Sequence, residues 1–204
     1  MNMSTLHPTK QALIATVVKL LDEKGPGEVS SDEVLEISGI SKGSLYHHFQ
    51  DFSELIERAL IVRFAAYVDR SVELLKGAIT TSKTRDDLLV ALKAVTRATQ
   101  SPELKAGRIE RLAAISTAMH NERMADALGI EQERLTEALE DLFRESVERG
   151  WGDKNIDPRV VAVMVQSYTL GKVVDDFTPS HMDFEAWSSV IDQVLEKVFF
   201  PLKK

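Results

Sequence analysis

The chain is a succession of amphipathic helical patterns, and this feature constrains its fold more than any other. Apolar residues recur at spacings of three and four from about residue 9 to about residue 200, and no segment alternates apolar and polar residues over the length of a strand. The composition agrees, because 44% of the 204 residues are hydrophobic and only 10 are Gly and 6 Pro. We therefore predict an all-α fold.

Start and stop signals divide the pattern into short helices first and longer ones afterwards. The first helix spans about Thr9–Lys24 and should end at Gly25. In "SSDEVLEISG", Ser30 and Glu33 have the spacing of a capping box, and Gly39 follows as a stop. The third helix, "KGSLYHHF", starts after Ser41, a suitable N-cap. Further helices are predicted at about 52–79, 85–100, 104–118, 121–128, 131–149, 158–177 and 184–200.

This order predicts two domains. Two short helices around the tight turn "SGIS" make a helix-turn-helix pattern. We assign residues 1–52 to a three-helix domain of this kind and residues 53–204 to a larger helical body. The long fourth helix should join them.

Several classes of function are excluded by composition and motif. There is no Cys, and so no disulfide framework, thiol nucleophile or Cys-based metal site. No signal peptide, membrane span, nucleophile elbow, metalloprotease motif or phosphate-binding loop occurs. "DKNID" (Asp153–Asp157) lacks the Gly and the closing Glu of a calcium loop. We expect a cytoplasmic protein that is not an enzyme and has no cofactor or metal.

The predicted third helix, "KGSLYHHF", contains no Asp or Glu, although the net charge of the chain is -7. On a helical wheel, Leu45 and Phe49 are i,i+4 neighbours and define its core side. His47 projects almost opposite, and Tyr46 and His48 lie on the flanks. Such a face suits a helix that enters the major groove, since small residues permit close approach and polar groups reach phosphates. A structural corner of a helical bundle is the alternative.

The segment "EVLEISGISKGSLYHHFQDFSEL" resembles the helix-turn-helix of the TetR family of bacterial transcription regulators. The matching positions are Gly39, Ser41, Gly43, Leu45, Tyr46, His48, Phe49 and Leu55. The resemblance implies a ligand-responsive regulator, most simply a repressor, that binds a palindromic DNA operator as a homodimer. Tyr46 and His48 would then contact phosphates. The bases would face Gly43, Ser44 and His47, and Ser41 and Lys42 complete the predicted DNA-binding set.

One departure from the family pattern is Phe52, where the family usually places a phosphate-binding Lys. Losing one phosphate contact should reduce the salt dependence of DNA binding by about one unit of log-log slope. Phe52 and the acidic N-terminal domain motivate an alternative function. In that alternative the chain is a TetR-like small-molecule sensor or interaction protein with weak or lost DNA binding.

The two C-terminal helices are apolar over much of their surface and predict a subunit interface, with burial inside one subunit as the alternative. The predicted interface residues are Val161, Met164, Val165, Tyr168, Trp187, Ile191, Val194, Leu195 and Val198. The resemblance further implies a pocket for a small, largely apolar effector among the middle helices. Its candidate lining residues are Leu112, Ser116, Met119, His120, Phe143, Gln166 and Tyr168.

Overall fold

The computed structural model describes residues 6–202. All regular secondary structure in this range is helical, which confirms the predicted all-α fold. None of these helices is long and apolar enough to cross a membrane. In chain order they are α1 (Pro8–Leu20), α2 (Ser31–Ser38), α3 (Lys42–His48), α4 (Phe52–Thr81), α5 (Arg85–Gln100), α6 (Lys105–Ala118), α7 (Glu122–Glu148), α8 (Pro158–Gly171), α9 (Val173–Asp176) and α10 (Phe184–Val194).

The described residues pack into two compact units. The first runs to Tyr67 and adds Ala114–Glu131, and the second comprises Val68–Ala113 and the chain from Gln132 onward. Helices α4, α6 and α7 therefore each supply residues to both units. The predicted boundary between residues 52 and 53 separates two proposed functions, whereas these units are defined by packing. The boundary remains a prediction.

The first unit is built on a cluster of buried apolar side chains from α1 to α4. The N-termini of α2 and α3 are capped as predicted: Ser30 Oγ accepts from Glu33 N at 3.3 Å, and Ser41 Oγ accepts from Ser44 N at 3.2 Å. Gly39 ends α2 with a φ of 67°, a conformation that favours glycine. The buried members of the cluster are Leu13, Ile14, Val17, Leu20, Val29, Val34, Leu45, Phe49, Leu55 and Ala59.

The first helix is shorter than predicted. It ends at Leu20, and the N–H groups of Asp22 and Glu23 bond three residues back, as in a tightened last turn. Gly25 is not a helix stop. It is extended, with a φ of -69°, and precedes a 3-10 turn at Pro26–Glu28, because a residue before proline disfavours the helical region.

Two predicted helices, 121–128 and 131–149, are one continuous helix, α7. Asn121 caps it, since its Oδ1 accepts from Met124 N at 3.1 Å. The helix passes through Gly129, whose interior position costs about 1 kcal/mol relative to alanine. Leu128, before Gly129, and Leu135, after it, are seven residues apart and lie on the same face of the helix. Both are buried, and their burial offsets that cost.

The two C-terminal helices are less regular than predicted. The segment predicted at 158–177 is interrupted after Gly171 and resumes as the short α9. The segment predicted at 184–200 is α-helical to Val194 and then widens into a π-turn at Leu195–Phe199. Asp157 caps α8, and its first residue is Pro158, which is suited to the first position of a helix.

The second unit contains a buried ion pair. Arg108 Nε and Nη2 donate to the two carboxylate oxygens of Asp176 at 2.8 and 3.0 Å, and Lys172 Nζ lies 3.4 Å from the same carboxylate. Arg108 is 1% exposed and Asp176 5%. The guanidinium also donates to the carbonyls of Thr99 and Ser101, so the end of α5 is tied to α6 and α9.

Candidate nucleic-acid interface and effector site

The position of α3 is set by two buried side chains. Leu45 is fully buried and Phe49 is 2% exposed, so the side of the helix that they define packs into the core of the first unit. The turn before α3 is held by Gly39 in the left-handed conformation and by the Ser41 cap. The opposite side of α3 is consequently turned outward.

The outward side of α3 carries the residues predicted to contact DNA. Ser41, Lys42, Gly43, Tyr46 and His47 are exposed, and Ser44 and His48 are half-buried. A Cβ built on Gly43 would meet no atom within 4 Å, so internal packing does not require glycine there. The structure thus presents the predicted set on one surface, while its contact with DNA remains a prediction.

Next to α3 the fold places a histidine that the sequence did not single out. The rings of His7 and His48 lie with centroids 4.7 Å apart, and those of His48 and His47 are 5.1 Å apart and edge-to-face. Lys10 Nζ lies 5.1 Å from the centroid of the Phe49 ring. Burial lowers the pKa of His48 below its usual range, and the positive charges of His7, His47 and Lys10 lower it further.

Phe52 is half-buried and packs against the apolar core of the first unit. The preceding turn directs it there: Asp51 Oδ1 accepts from Glu54 N at 2.7 Å, and Glu54 Oε2 accepts from Gln50 N at 2.9 Å. Asp51 and Glu54 therefore both bond to backbone N–H groups at the start of α4. Phe52 thus covers part of the core from its edge.

A polar cluster in the first unit links the start of α7 to the turn after α3. Glu57, 8% exposed, accepts from Asn121 Nδ2 at 2.7 Å and from Arg123 Nε at 2.9 Å. Arg123 Nη1 also donates to Gln50 Oε1 at 2.9 Å. The hydrogen bond to Glu57 raises the pKa of Arg123, so the cation is firmly retained.

The residues predicted to line an effector pocket are distributed over both units. Ser116, Met119 and His120 belong to the first unit and are exposed, Met119 by 77%. In the second unit, Phe143 is 1% exposed and packs edge-on against the rings of Phe199 and Phe200, and Leu112 is half-buried. Gln166 Oε1 accepts from Gln132 Nε2, and Gln166 Nε2 donates to Thr136 Oγ1. Their role as lining residues remains a prediction.

Tyr168, the last predicted effector residue, belongs to a polar cluster inside the second unit. Burial raises the pKa of its phenol to about 12, against a smaller opposing effect of a hydrogen bond with Thr96. Thr96 and Gln100 are i,i+4 neighbours on α5. Gln100 is 1% exposed, its Oε1 accepts from Trp187 Nε1, and its Nε2 has no hydrogen-bond partner among residues 6–202.

The residues predicted to form a dimer interface differ in accessibility. Val161, Ile191 and Leu195 are at most 4% exposed, so burial within their own unit accounts for their apolar character. Val165, Tyr168, Trp187 and Val194 are half-buried, whereas Met164 and Val198 are 42% and 45% exposed. Further exposed apolar side chains of α8 to α10 and the turn after α9, outside the predicted set, are Val160, Val163, Val174, Phe177 and Val190.

The fold and the outward face of α3 define a helix-turn-helix protein with a helical body. Residues 13–59 match the family described as bacterial regulatory proteins, tetR family. The predicted resemblance is confirmed: the chain carries the TetR-family helix-turn-helix segment. Structural comparison extends the likeness in fold to nearly the whole chain.

Known proteins agree with this assignment. The HTH-type transcriptional repressor NemR of Escherichia coli (strain K12) is 36% identical over 78 residues, which cover 38% of this chain and 39% of NemR. The solved reduced form of E. coli NemR superposes with a TM-score of 0.67 at 20% identity, covering 97% of this chain and 100% of that one. The sequence match thus spans well under half of that relative, and the structural match shows the fold.

Two further solved structures share the fold. A putative TetR-family transcriptional regulator from Mesorhizobium loti superposes with a TM-score of 0.71 at 16% identity, covering 95% of this chain and 97% of that one. AibR, solved in complex with isovaleryl coenzyme A and operator DNA, gives 0.55 at 17% identity, covering 91% and 97%. The compared proteins are described as transcriptional regulators rather than enzymes.

The sequence reasoning missed His7, Gln100 and Arg123. Each acquires its place by contact with residues 40 or more positions away: His48, Trp187 and Glu57. No local pattern marks them, since a lone His before a helix, a Gln at a helix end and an Arg in a first turn are all ordinary. Comparison of related sequences for coupled changes at these pairs is the signal that could reveal them.

Proposed function

We propose that this protein is a transcriptional regulator, most simply a repressor, that binds a palindromic DNA operator as a homodimer and responds to a small effector. The observation that carries the proposal is the exposed, acid-free face of α3, held outward by buried Leu45 and Phe49. A recognition helix needs this combination of a fixed core side and a free polar side. A DNA partner also places the protein in the cytoplasm.

The residues of α3 have different proposed roles in DNA binding, according to their positions on the helix. Tyr46 and His48 flank the outward face and are placed to donate to phosphates, as is Lys42 at the start of the helix. Gly43 and Ser44 allow close approach to base edges, which is supported by the open space around Gly43. His47 projects furthest from the core, and we assign it the sequence preference at one operator position.

The effector site lies, in this proposal, in the second unit around Tyr168. Gln100 Nε2 supports it, because a buried amide N–H group without a partner favours a ligand that brings a hydrogen-bond acceptor. Trp187 fixes the orientation of the amide by donating to Gln100 Oε1. The effector is then a small, largely apolar molecule with a carbonyl or similar acceptor.

The proposed dimer uses the exposed apolar side chains of α8 and α10. Met164 and Val198 come from the predicted set, and Val160, Val163 and Val190 join them. Exposed apolar surface favours association, and a two-fold interface would space two α3 helices for a palindromic site. Effector binding would change that spacing through α4, α6 and α7, which each contribute to both units.

The second candidate function is a TetR-like sensor or interaction protein with weak or lost DNA binding. Phe52 favours it, because an aromatic core side chain stands where the family pattern has a phosphate-binding Lys. The two candidates differ in one property that can be measured directly, the affinity for DNA.

A gel-shift with the DNA upstream of the protein's own gene tests the proposal. We expect a shifted band at low salt and a loss of affinity in Lys42→Ala and Tyr46→Ala, since both remove groups that would contact phosphates. Lys154→Ala is the matched control, because Lys154 is exposed in the second unit. His47→Ala should relax base preference at one position. Absence of any shift, with all upstream fragments, would support the sensor instead.

A further inference from the structure

The three rings of His7, His48 and His47 form a continuous row on the surface of the first unit, with centroid spacings of 4.7 and 5.1 Å. We call this set the imidazole row. His48 and His47 belong to the outward part of α3, whereas His7 precedes α1 and is separated from them by 40 residues of chain. The row therefore adds a residue from outside the helix-turn-helix to the surface that carries the predicted DNA contacts.

The tautomer of His7 is fixed by its own helix. Its Nδ1 accepts from Thr9 N at 3.3 Å as the N-cap of α1, so the proton of the neutral ring is on Nε2. The Nε2–H group of this ring can therefore donate to an acceptor from outside the protein.

The surroundings of the row are cationic rather than acidic. From α1, Lys10 faces His48. The carboxylates that follow α3 are engaged at the start of α4, where Asp51 and Glu54 accept from backbone N–H groups. On α2, Glu33 pairs with Lys24, and Asp32 and Glu36 are exposed. An anion from outside is the partner this arrangement lacks.

We propose that the imidazole row is a binding site for a DNA backbone phosphate, to which His7 contributes its Nε2–H donor, and that contact with the phosphate is accompanied by protonation of His48. This rests on the proposed function, because the phosphate is that of duplex DNA. Within residues 6–202 no group of three or more His, Cys, Asp or Glu side chains is arranged to hold a metal ion.

The proton uptake follows from the change in the charges around His48 when a phosphate binds. In the free protein, burial and the neighbouring cations keep the pKa of His48 low, so it is mostly neutral at neutral pH. A phosphate oxygen at hydrogen-bond distance favours the imidazolium and raises that pKa. Binding and protonation are therefore linked, and affinity should rise as the pH falls toward the pKa of the free His48 ring, by at most about tenfold per pH unit for one proton.

The experiment measures binding of a fluorescent duplex of random sequence at low salt between about pH 8 and pH 6, since phosphate contacts do not depend on sequence. The test variant is His7→Asn, because asparagine retains the N-cap and removes the ring. We expect at least threefold weaker binding at pH 6 and a flatter pH dependence. In the free variant, the NMR titration of the His48 ring should move to higher pH. His181→Asn, in the second unit, is the matched control and should change neither quantity.

The outcomes separate this inference from the proposed function. Binding of duplex with the same pH dependence in the wild type and His7→Asn would overturn the row as a proton-linked site and leave DNA binding intact. Absence of binding at every pH would overturn both. If inorganic phosphate alone shifts the His48 resonance as the duplex does, the row is a site for free phosphate, and its assignment to the DNA backbone is overturned.

Discussion

The Arg123 guanidinium lies against the Glu57 carboxylate, with Nε 2.9 Å and Nη2 2.8 Å from Glu57 Oε2. The pair joins the first turn of α7 to α4, and Arg123 extends the connection to Gln50, two residues after α3. A change at the start of α7 can thus reach the end of the recognition helix through three side chains. This is a physical route inside the first unit by which helix movement could alter the proposed DNA-binding surface.

Removing Arg123 should be more damaging than removing the pair. In Arg123→Gln the nearly buried Glu57 carboxylate loses its cationic partner and keeps the hydrogen bond from Asn121. Because this charge is then unpaired, we expect a lower Tm and weaker DNA binding. The double variant Arg123→Gln/Glu57→Gln should recover part of the Tm, because no charge is then left unpaired. Equal losses in Tm that simply add would show that the two residues are not coupled.

The buried pair of Arg108 and Asp176 makes a second prediction, on stability. Arg108→Met should lower the free energy of unfolding by about 3–5 kcal/mol, because Asp176 then keeps only Lys172 beside it. Arg108→Met/Asp176→Leu should recover most of this loss by replacing the pair with apolar side chains. Urea denaturation measures both. A double variant as unstable as the single one would contradict the unpaired-charge explanation.

Asp176 also predicts a pH dependence. The Arg108 hydrogen bonds hold the pKa of this carboxyl below its usual value, with Lys172 acting in the same direction. A carboxyl whose folded pKa is depressed stabilises the fold above its unfolded pKa, about 3.9, and this contribution is lost as the pH falls through the folded pKa. The difference in stability between wild type and Asp176→Asn should therefore shrink below about pH 4. A difference that is constant from neutral to acid pH would argue against it.

Phe52→Lys tests the departure from the family pattern. The substitution should cost about 1 kcal/mol of stability, because Phe52 is half-buried against the core. It should also steepen the slope of log affinity for DNA against log salt by about 0.9, the value for one added phosphate contact. Phe52→Leu is the control, since it keeps the apolar contact and adds no charge. An unchanged slope in Phe52→Lys would mean that position 52 does not face the backbone.

Val163→Glu tests the dimer. Val163 is 51% exposed on α8, and a charge there should oppose apolar association without entering the core. Light scattering should show a dimer for the wild type and a monomer for the variant, with DNA binding weakened. Val90→Glu is the control, because Val90 is 69% exposed on α5, outside the proposed interface. A dimer that survives Val163→Glu would place the interface elsewhere.

The sequence by itself determined the elements whose causes are local. The caps at Ser30 and Ser41, the left-handed Gly39 and the core pair of Leu45 and Phe49 all depend on residues within four positions of one another. Such signals stay readable because helix propensity, capping and amphipathic spacing act along the chain. The helix-turn-helix and the outward face of α3 follow from them.

Only the tertiary structure decided the features that depend on distant partners. It placed His7 beside His48 and packed Phe52 against the core of the first unit. It buried Gln100 Nε2 without a hydrogen-bond partner among residues 6–202. It also made α7 continuous through Gly129. In each case the free energy comes from packing or hydrogen bonds between segments far apart in sequence, and local preference is too weak by comparison to decide it.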